Sequence, residues 1–288
     1  MFGAAAAAWH VGGQLLQPHQ ITMRPPPEDF AVQSVAFDSE SGDRLAGWFH
    51  QGEPGRGVVV LAHGIRTHRG SSLARARLFG EHGLSSLLFD LRCHGESTGE
   101  RVTLGWQERH DIRAAVDWAK HRCTGEPVAV VGYSLGGAAA ALAAPLEVDA
   151  VVLEAVFPTI EAAVGNRTSG KLGIAGPLAS WALLAQLEPR TGIAPSDLRP
   201  VDAVRRLTCP VMVVGGGRDQ QTTPADTRRM FQAAPEPKEL VWFDDLGHRN
   251  FARWAPEKYR REVVSFVTDC LSRAAADQDA RTPAEPSR

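Results

Sequence analysis

From about residue 58 to residue 272 the chain alternates uninterrupted apolar runs with helix-like stretches, and this alternation limits the fold more than any other feature. The runs are Val58 to Ala62, Ser85 to Asp90, Val128 to Val131, Val148 to Leu153, Val211 to Val214 and Leu240 to Phe243. A strand with one face in water alternates apolar with polar residues. These runs do not, so both of their faces must be covered. Between them, Leu73 to His82, Gln107 to Lys120, Ser134 to Ala144, Ala225 to Ala233 and Pro256 to Ser272 read as helices. Upstream, Gln33 to Phe37 and Leu45 to His50 flank Ser41-Gly42-Asp43, a hairpin signal. Together these predict an α/β fold with a mostly parallel eight-stranded sheet and helices on both faces.

The 288 residues suit one α/β domain with an insertion, and a 43% hydrophobic content supplies a sizeable core. The segment 158–207 interrupts the alternation. It is too long for a simple crossover, and it reads as a helical cap over the carboxyl edge of the sheet, where ligands bind in such folds. Its Leu172, Ile174, Leu178, Trp181, Leu183 and Leu184 serve either to line an apolar pocket or to pack the cap onto the sheet. Domain limits follow: residues 1–32 as an apolar helix and proline linker, 33–273 as the main domain, and 274–288 as a disordered polar tail.

Phe2 to Gly13 is alanine-rich and apolar, but too short to cross a bilayer, and it lacks the basic start and polar break of a signal peptide. A short helix lying on the domain is the expectation, with a remnant of a longer membrane anchor as the alternative. The net charge of −2 has no basic block, which argues against nucleic acid as a partner. Cys93, Cys123, Cys209 and Cys270 have neither paired nor metal-ligand spacing. They read as free thiols in a reducing compartment, so a cytoplasmic location is expected, with peripheral membrane contact through the N-terminus as the alternative.

Gly132-Tyr133-Ser134-Leu135-Gly136 follows one apolar run directly and precedes a small, helix-favouring stretch. A serine between glycines on a sharp strand-to-helix turn has its hydroxyl lifted clear of the sheet, as a nucleophile requires. Such a hydroxyl needs a base and an acid to orient that base. His248 lies in a Gly-containing loop after the last strand, at the same sheet edge as Ser134. His10, His19, His50, His82, His110 and His121 do not, and read as surface or packing residues. Asp219 follows the penultimate strand in Gly215-Gly216-Gly217-Arg218-Asp219, from where a loop can reach His248. Glu154, Asp244 and Asp245 are rival acids. The backbone N–H of Leu135, at the helix start, and that of Ile65, in His63-Gly64-Ile65-Arg66, are candidate oxyanion donors. His63 and Arg66 read as structural or pocket-lining.

With these residues in place, residues 33–272 resemble the α/β-hydrolase superfamily. The matching pieces are Leu61-Ala62-His63-Gly64, Phe89 to Ser97, Gly132 to Gly137, Gly217-Arg218-Asp219 with Thr223-Pro224, and Gly247-His248. The likeness is strongest to uncharacterised bacterial serine hydrolases with prolyl-oligopeptidase-like or serine-aminopeptidase-like domains. One departure stands out: Cys93 occupies the first-glycine position of the family's Arg-Gly-His-Gly, which bears on local loop shape.

The resemblance implies a serine hydrolase with Ser134, Asp219 and His248 as its triad, no cofactor and no metal. The expected partner is a small ester or acyl substrate, cleaved through an acyl-enzyme. A peptidase acting on short peptides is the second reading. It calls for acidic residues that bind a free amino terminus, and Glu161, Glu188 and Asp197 in the cap form no cluster. A non-catalytic binding protein on the same fold is the reading from another class. Serine at the nucleophile position argues against dehalogenase chemistry. Oligomeric state is not legible in the sequence.

Overall fold

The computed structural model describes residues 2–281. Its strands are β1 (His19–Gln20), β2 (Gln33–Asp38), β3 (Arg44–His50), β4 (Val58–Ala62), β5 (Ser85–Phe89), β6 (His94–Gly95), β7 (Val128–Tyr133), β8 (Ala150–Glu154), β9 (Val211–Gly216) and β10 (Lys238–Phe243). Eight of them form one sheet in the order β10-β9-β8-β7-β4-β5-β3-β2. The β2–β3 and β3–β5 pairs are antiparallel, and all others in the sheet are parallel. This is the expected eight-stranded sheet, with the hairpin at one edge.

The helices are α1 (Phe2–Leu15), α2 (Leu73–Gly80), α3 (Glu108–Arg122), α4 (Leu135–Leu142), α5 (Ile160–Leu172), α6 (Gly176–Leu184), α7 (Leu187–Thr191), α8 (Pro200–Ala203), α9 (Pro224–Ala233), α10 (Phe251–Trp254), α11 (Pro256–Tyr259) and α12 (Ser265–Arg281). Val58, Val60, Val128, Val130, Val151 and Val213 point to one face and pack with Ile112, Val116 and Ala138 to Ala141 of α3 and α4. Val59, Leu61, Ala129, Val131, Val152 and Met212 point to the other, against Ala76 and Phe79 of α2 and Phe266 and Val267 of α12. Successive side chains leave a strand on opposite faces, so continuous apolar runs are what two covered faces require.

The segment after β5 is built around Asp90. Its carboxylate accepts from the N–H groups of Arg69, at 2.6 Å, and Glu96, at 3.0 Å, and pairs with the Arg69 guanidinium. Cys93 has φ +62°, a left-handed conformation that favours glycine, in keeping with the glycine that the family resemblance leads one to expect there. Its backbone also holds the N-terminal segment, since His19 N–H donates to Cys93 O at 2.7 Å beside the β1–β6 pair. All four cysteines are free and buried. Burial pushes the Cys93 thiol up to about 11 and that of Cys209 to about 12.

Two elements depart from the sequence reading. The last helix continues to Arg281, so residues 274–281 are helical instead of disordered, and 282–288 lie outside the described residues. Arg273-Ala274-Ala275-Ala276 favours helix through backbone propensity alone, without an apolar face to bury. In the cap, Leu172, Ile174, Leu178 and Trp181 are exposed, so they neither pack on the sheet nor line a pocket. Among the described residues, no helix is long and apolar enough to cross a membrane.

Candidate active site

Ser134 sits between β7 and α4 with φ +52° and ψ −110°, a strained backbone held by its surroundings. Its N–H donates to Glu154 O at 2.8 Å. A Cβ on Gly132 would come within 2.5 Å of Gly137, and one on Gly136 within 2.6 Å of Ala62. Both flanking glycines are therefore required by close backbone approach.

The structure brings Ser134, Asp219 and His248 together. His248 Nε2 lies 3.1 Å from Ser134 Oγ, and His248 Nδ1 lies 2.8 Å from Asp219 Oδ2. With Nδ1 as donor to the carboxylate, Nε2 faces the hydroxyl as a proton acceptor. The Asp219 side chain is wholly buried, and its other oxygen accepts from the N–H groups of Gln221, at 2.8 Å, and Thr222, at 2.9 Å. Three hydrogen bonds thus fix the carboxylate, with Oδ2 turned to the imidazole.

The loops carrying acid and base interlock. A Cβ on Gly216 would come within 2.5 Å of Leu246 O, and one on Gly217 within 2.4 Å of Asp244 O. Gly217 N–H donates to Phe243 O, and Arg218 N–H donates to Leu246 O, both at 3.0 Å.

The rival acids have other work. Glu154 is buried and paired with Arg75, and it accepts from Tyr259 Oη at 2.6 Å. Asp245 pairs with Arg218 on the surface, at 2.7 Å. Asp244 approaches Lys258. His63 is buried and donates from Nδ1 to Gly64 O at 2.7 Å, while Nε2 accepts from Leu91 N–H at 3.1 Å. Burial holds its pKa well below the usual imidazole value, so it stays neutral and shapes the loop that carries Ile65.

Above Ser134 lies a cavity of about 520 Å³, within the range of small-molecule sites. Ile65 and Leu135 line it beside the serine. Leu135 is the first residue of α4, so its N–H has no partner one turn back within the helix. The cap contributes Ile160, Ala163, Val164, Leu183, Leu184 and Leu187, joined by Leu104 and Phe157. Glu161, Glu188 and Asp197 are not among the lining residues. Asn166 Nδ2 ties the cap to the acid loop, donating to Gln221 O at 3.1 Å and to Asp226 Oδ2 at 2.7 Å.

Sequence reasoning missed the far wall. Gly12, Leu15 and Leu16 of the N-terminal segment line the same cavity. Helix α1 is held there by Arg66 Nη2, which donates to Gln14 O at 2.7 Å, and by Arg190, whose guanidinium stacks 3.8 Å from the Trp9 ring centroid. The membrane-anchor alternative rested on the apolar character of this segment. Within Phe2 to Gly13, Gly12 lines the cavity, whereas Trp9 and Val11 remain exposed.

The serine aminopeptidase S33 family profile matches residues 53–190. The chain is 26% identical over 265 residues to the uncharacterized protein YfhR of Salmonella typhi, covering 85% of each. It is 29% identical over 226 residues to the uncharacterized protein Rv2307c of Mycobacterium tuberculosis, covering 76% of this chain and 73% of that one. Among solved structures, the esterase PF2001 of Pyrococcus furiosus superposes with a TM-score of 0.74 at 19% identity, covering 89% of this chain and 98% of that one.

Proposed function

Because the chain is an α/β-hydrolase, we propose that it is a serine hydrolase cleaving a carboxylic ester or thioester through an acyl-enzyme on Ser134. The observation that carries the reading is the hydrogen-bonded series Ser134–His248–Asp219, with Ser134 lining a largely apolar cavity. His248 Nε2 takes the Ser134 proton as Oγ attacks the carbonyl carbon. Negative charge moves to the carbonyl oxygen, and we assign the N–H groups of Ile65 and Leu135, which line the cavity with Ser134, as its donors. His248 then returns the proton to the leaving oxygen or sulfur, and the acyl-enzyme forms. Water, deprotonated by the same imidazole, attacks the acyl carbon and frees Ser134. Asp219 holds the productive tautomer and stabilises the imidazolium at both stages.

Ester is favoured over peptide by the cavity wall. A site for a free amino terminus needs a carboxylate, and among the described residues none lines the cavity. The test is hydrolysis of p-nitrophenyl esters from acetate to palmitate by wild type and Ser134→Ala, with fluorophosphonate labelling of both. Turnover and labelling should both disappear in the variant, the rate by about a million-fold. Near-normal turnover by Ser134→Ala would overturn the mechanism.

A further inference from the structure

The serine chemistry leaves the charge of the cavity unexplained. Arg66, Arg167, Lys171 and Arg190 line it, and among the described residues no aspartate or glutamate does. Two of these cations are already engaged: Arg66 holds α1 through the Gln14 carbonyl, and Arg190 holds it through Trp9 and also donates to Gln186 Oε1 at 3.2 Å.

Arg167 and Lys171 are different. They stand one turn apart on α5 and so share a face, the one turned to the cavity. Arg167 donates from Nη1 to Ala163 O at 2.8 Å within its own helix. No carboxylate among the described residues forms an ion pair with it. Asp219 is near enough to act on it electrostatically, but both oxygens of that carboxylate are already committed to His248, Gln221 and Thr222. Lys171 likewise makes no ion pair among the described residues. Like charges at this spacing oppose the helix that carries them. Withdrawing a guanidinium from water without an anion is unfavourable too, and burial accordingly lowers the Arg167 pKa. Such an arrangement is costly unless something negative completes it.

We propose that the α5 wall of the cavity binds an anion through Arg167 and Lys171, so that the ester cleaved at Ser134 carries a carboxylate or phosphate group as well as an apolar chain. The proposal rests on the serine hydrolase reading for the word ester, and on the cavity alone for the anion. Leu16, Leu104, Phe157, Leu183 and Leu187 take the chain. The guanidinium offers a planar fork that matches two oxygens, and the ammonium adds a point charge beside it.

Binding and turnover separate the two claims. Calorimetric titration of the full chain carrying Ser134→Ala with octanoate, octyl phosphate and octanol reads the anion site without chemistry. At least one anion should bind about tenfold or more tightly than the alcohol. Whether carboxylate or phosphate leads identifies the head group. The advantage should shrink on raising salt to 0.5 M and collapse in Arg167→Gln, with a smaller loss in Lys171→Gln, an exposed position that tolerates the change. Equal binding of alcohol and anions, or an anion preference that survives both substitutions, would overturn the proposal. In the wild type, mono-4-nitrophenyl esters of dicarboxylic acids should be cleaved with higher kcat/KM than neutral esters of equal length. Ester turnover without anion preference removes this inference and leaves the serine mechanism standing. Anion binding without turnover of any ester does the reverse.

Discussion

The main-chain N–H of Ser134 donates to the carbonyl oxygen of Glu154 at 2.8 Å, across the β7–β8 pair. The side chain of the same glutamate is buried against Arg75 and Tyr259, and the Arg75 guanidinium lies 5.4 Å from the Tyr133 ring centroid. The strained turn thus leans on a buried ion pair that ties β8 to α2 and α11.

Removing one member of that pair strands the other. Glu154→Gln leaves the Arg75 charge buried without its counterion, at a cost of roughly 3–5 kcal/mol. Urea unfolding should show that loss, and the Arg75→Leu/Glu154→Leu double variant should lose less than either single change. Equal additive losses would mean that the pair is not coupled.

Asp219→Asn keeps the shape of the acid but presents an amide to His248. The imidazole then loses its reason to keep the proton on Nδ1, and kcat on a p-nitrophenyl ester should drop by about ten-thousandfold with little change in KM. A drop of less than tenfold would return the role of the acid to another carboxylate.

Asp111 supplies a pH dependence of stability. Its carboxyl accepts from Ser39 Oγ and Arg92 N–H, each at 2.8 Å, yet burial, with Glu108 nearby, pushes its pKa up to about 7. The folded protein therefore keeps this proton to higher pH than the unfolded chain. The resulting stabilisation is complete below about pH 4 and is lost as pH rises to about 7, at no more than about 1.4 kcal/mol per pH unit. Asp111→Asn removes this titration, so its unfolding free energy should fall less than that of wild type from pH 4.5 to pH 7.5. Parallel curves would show that Asp111 is ionised throughout.

Deleting residues 1–17 removes one wall of the cavity while keeping the β1–β6 pair. KM for hexanoate and octanoate esters should rise about tenfold, and KM for acetate should rise much less, because only longer chains reach Leu15 and Leu16. The same measurement with Leu16→Ala locates the effect in one side chain. A uniform rise for all esters would mean that α1 holds the site in shape without touching the acyl chain.

How much of this was legible in the sequence depended on how local each signal was. The run Val58 to Ala62 coincides with β4 because it is short, rich in β-branched valine and bounded by glycines, which favours a strand buried on both faces over a helix. The elbow, the Gly-rich loop before Asp219 and the Gly247-His248 loop each follow a strand, and strand ends in a parallel sheet fall on one edge. The N-terminal wall had no local signal, since its partners Arg66 and Arg190 are remote in the chain and its contacts are made by backbone and aromatic surface. Leu183 and Trp181 look alike in sequence, yet one lines the cavity and the other faces outward, because the single-turn register of α6 decides between them. Glu154 carried the chemistry of a catalytic acid, but a buried arginine claimed it.

The interlocked glycines at Gly216 and Gly217 divide the reaction centre mechanically. Asp219 and His248 ride on one close-packed piece at the β9–β10 edge, while Ser134 belongs to another piece at the middle of the sheet. The two pieces are joined through β8, and the imidazole meets the hydroxyl between them at 3.1 Å. Heat or a distant substitution that widens that distance would silence the protein while its fold stays intact, so inactivation should precede unfolding.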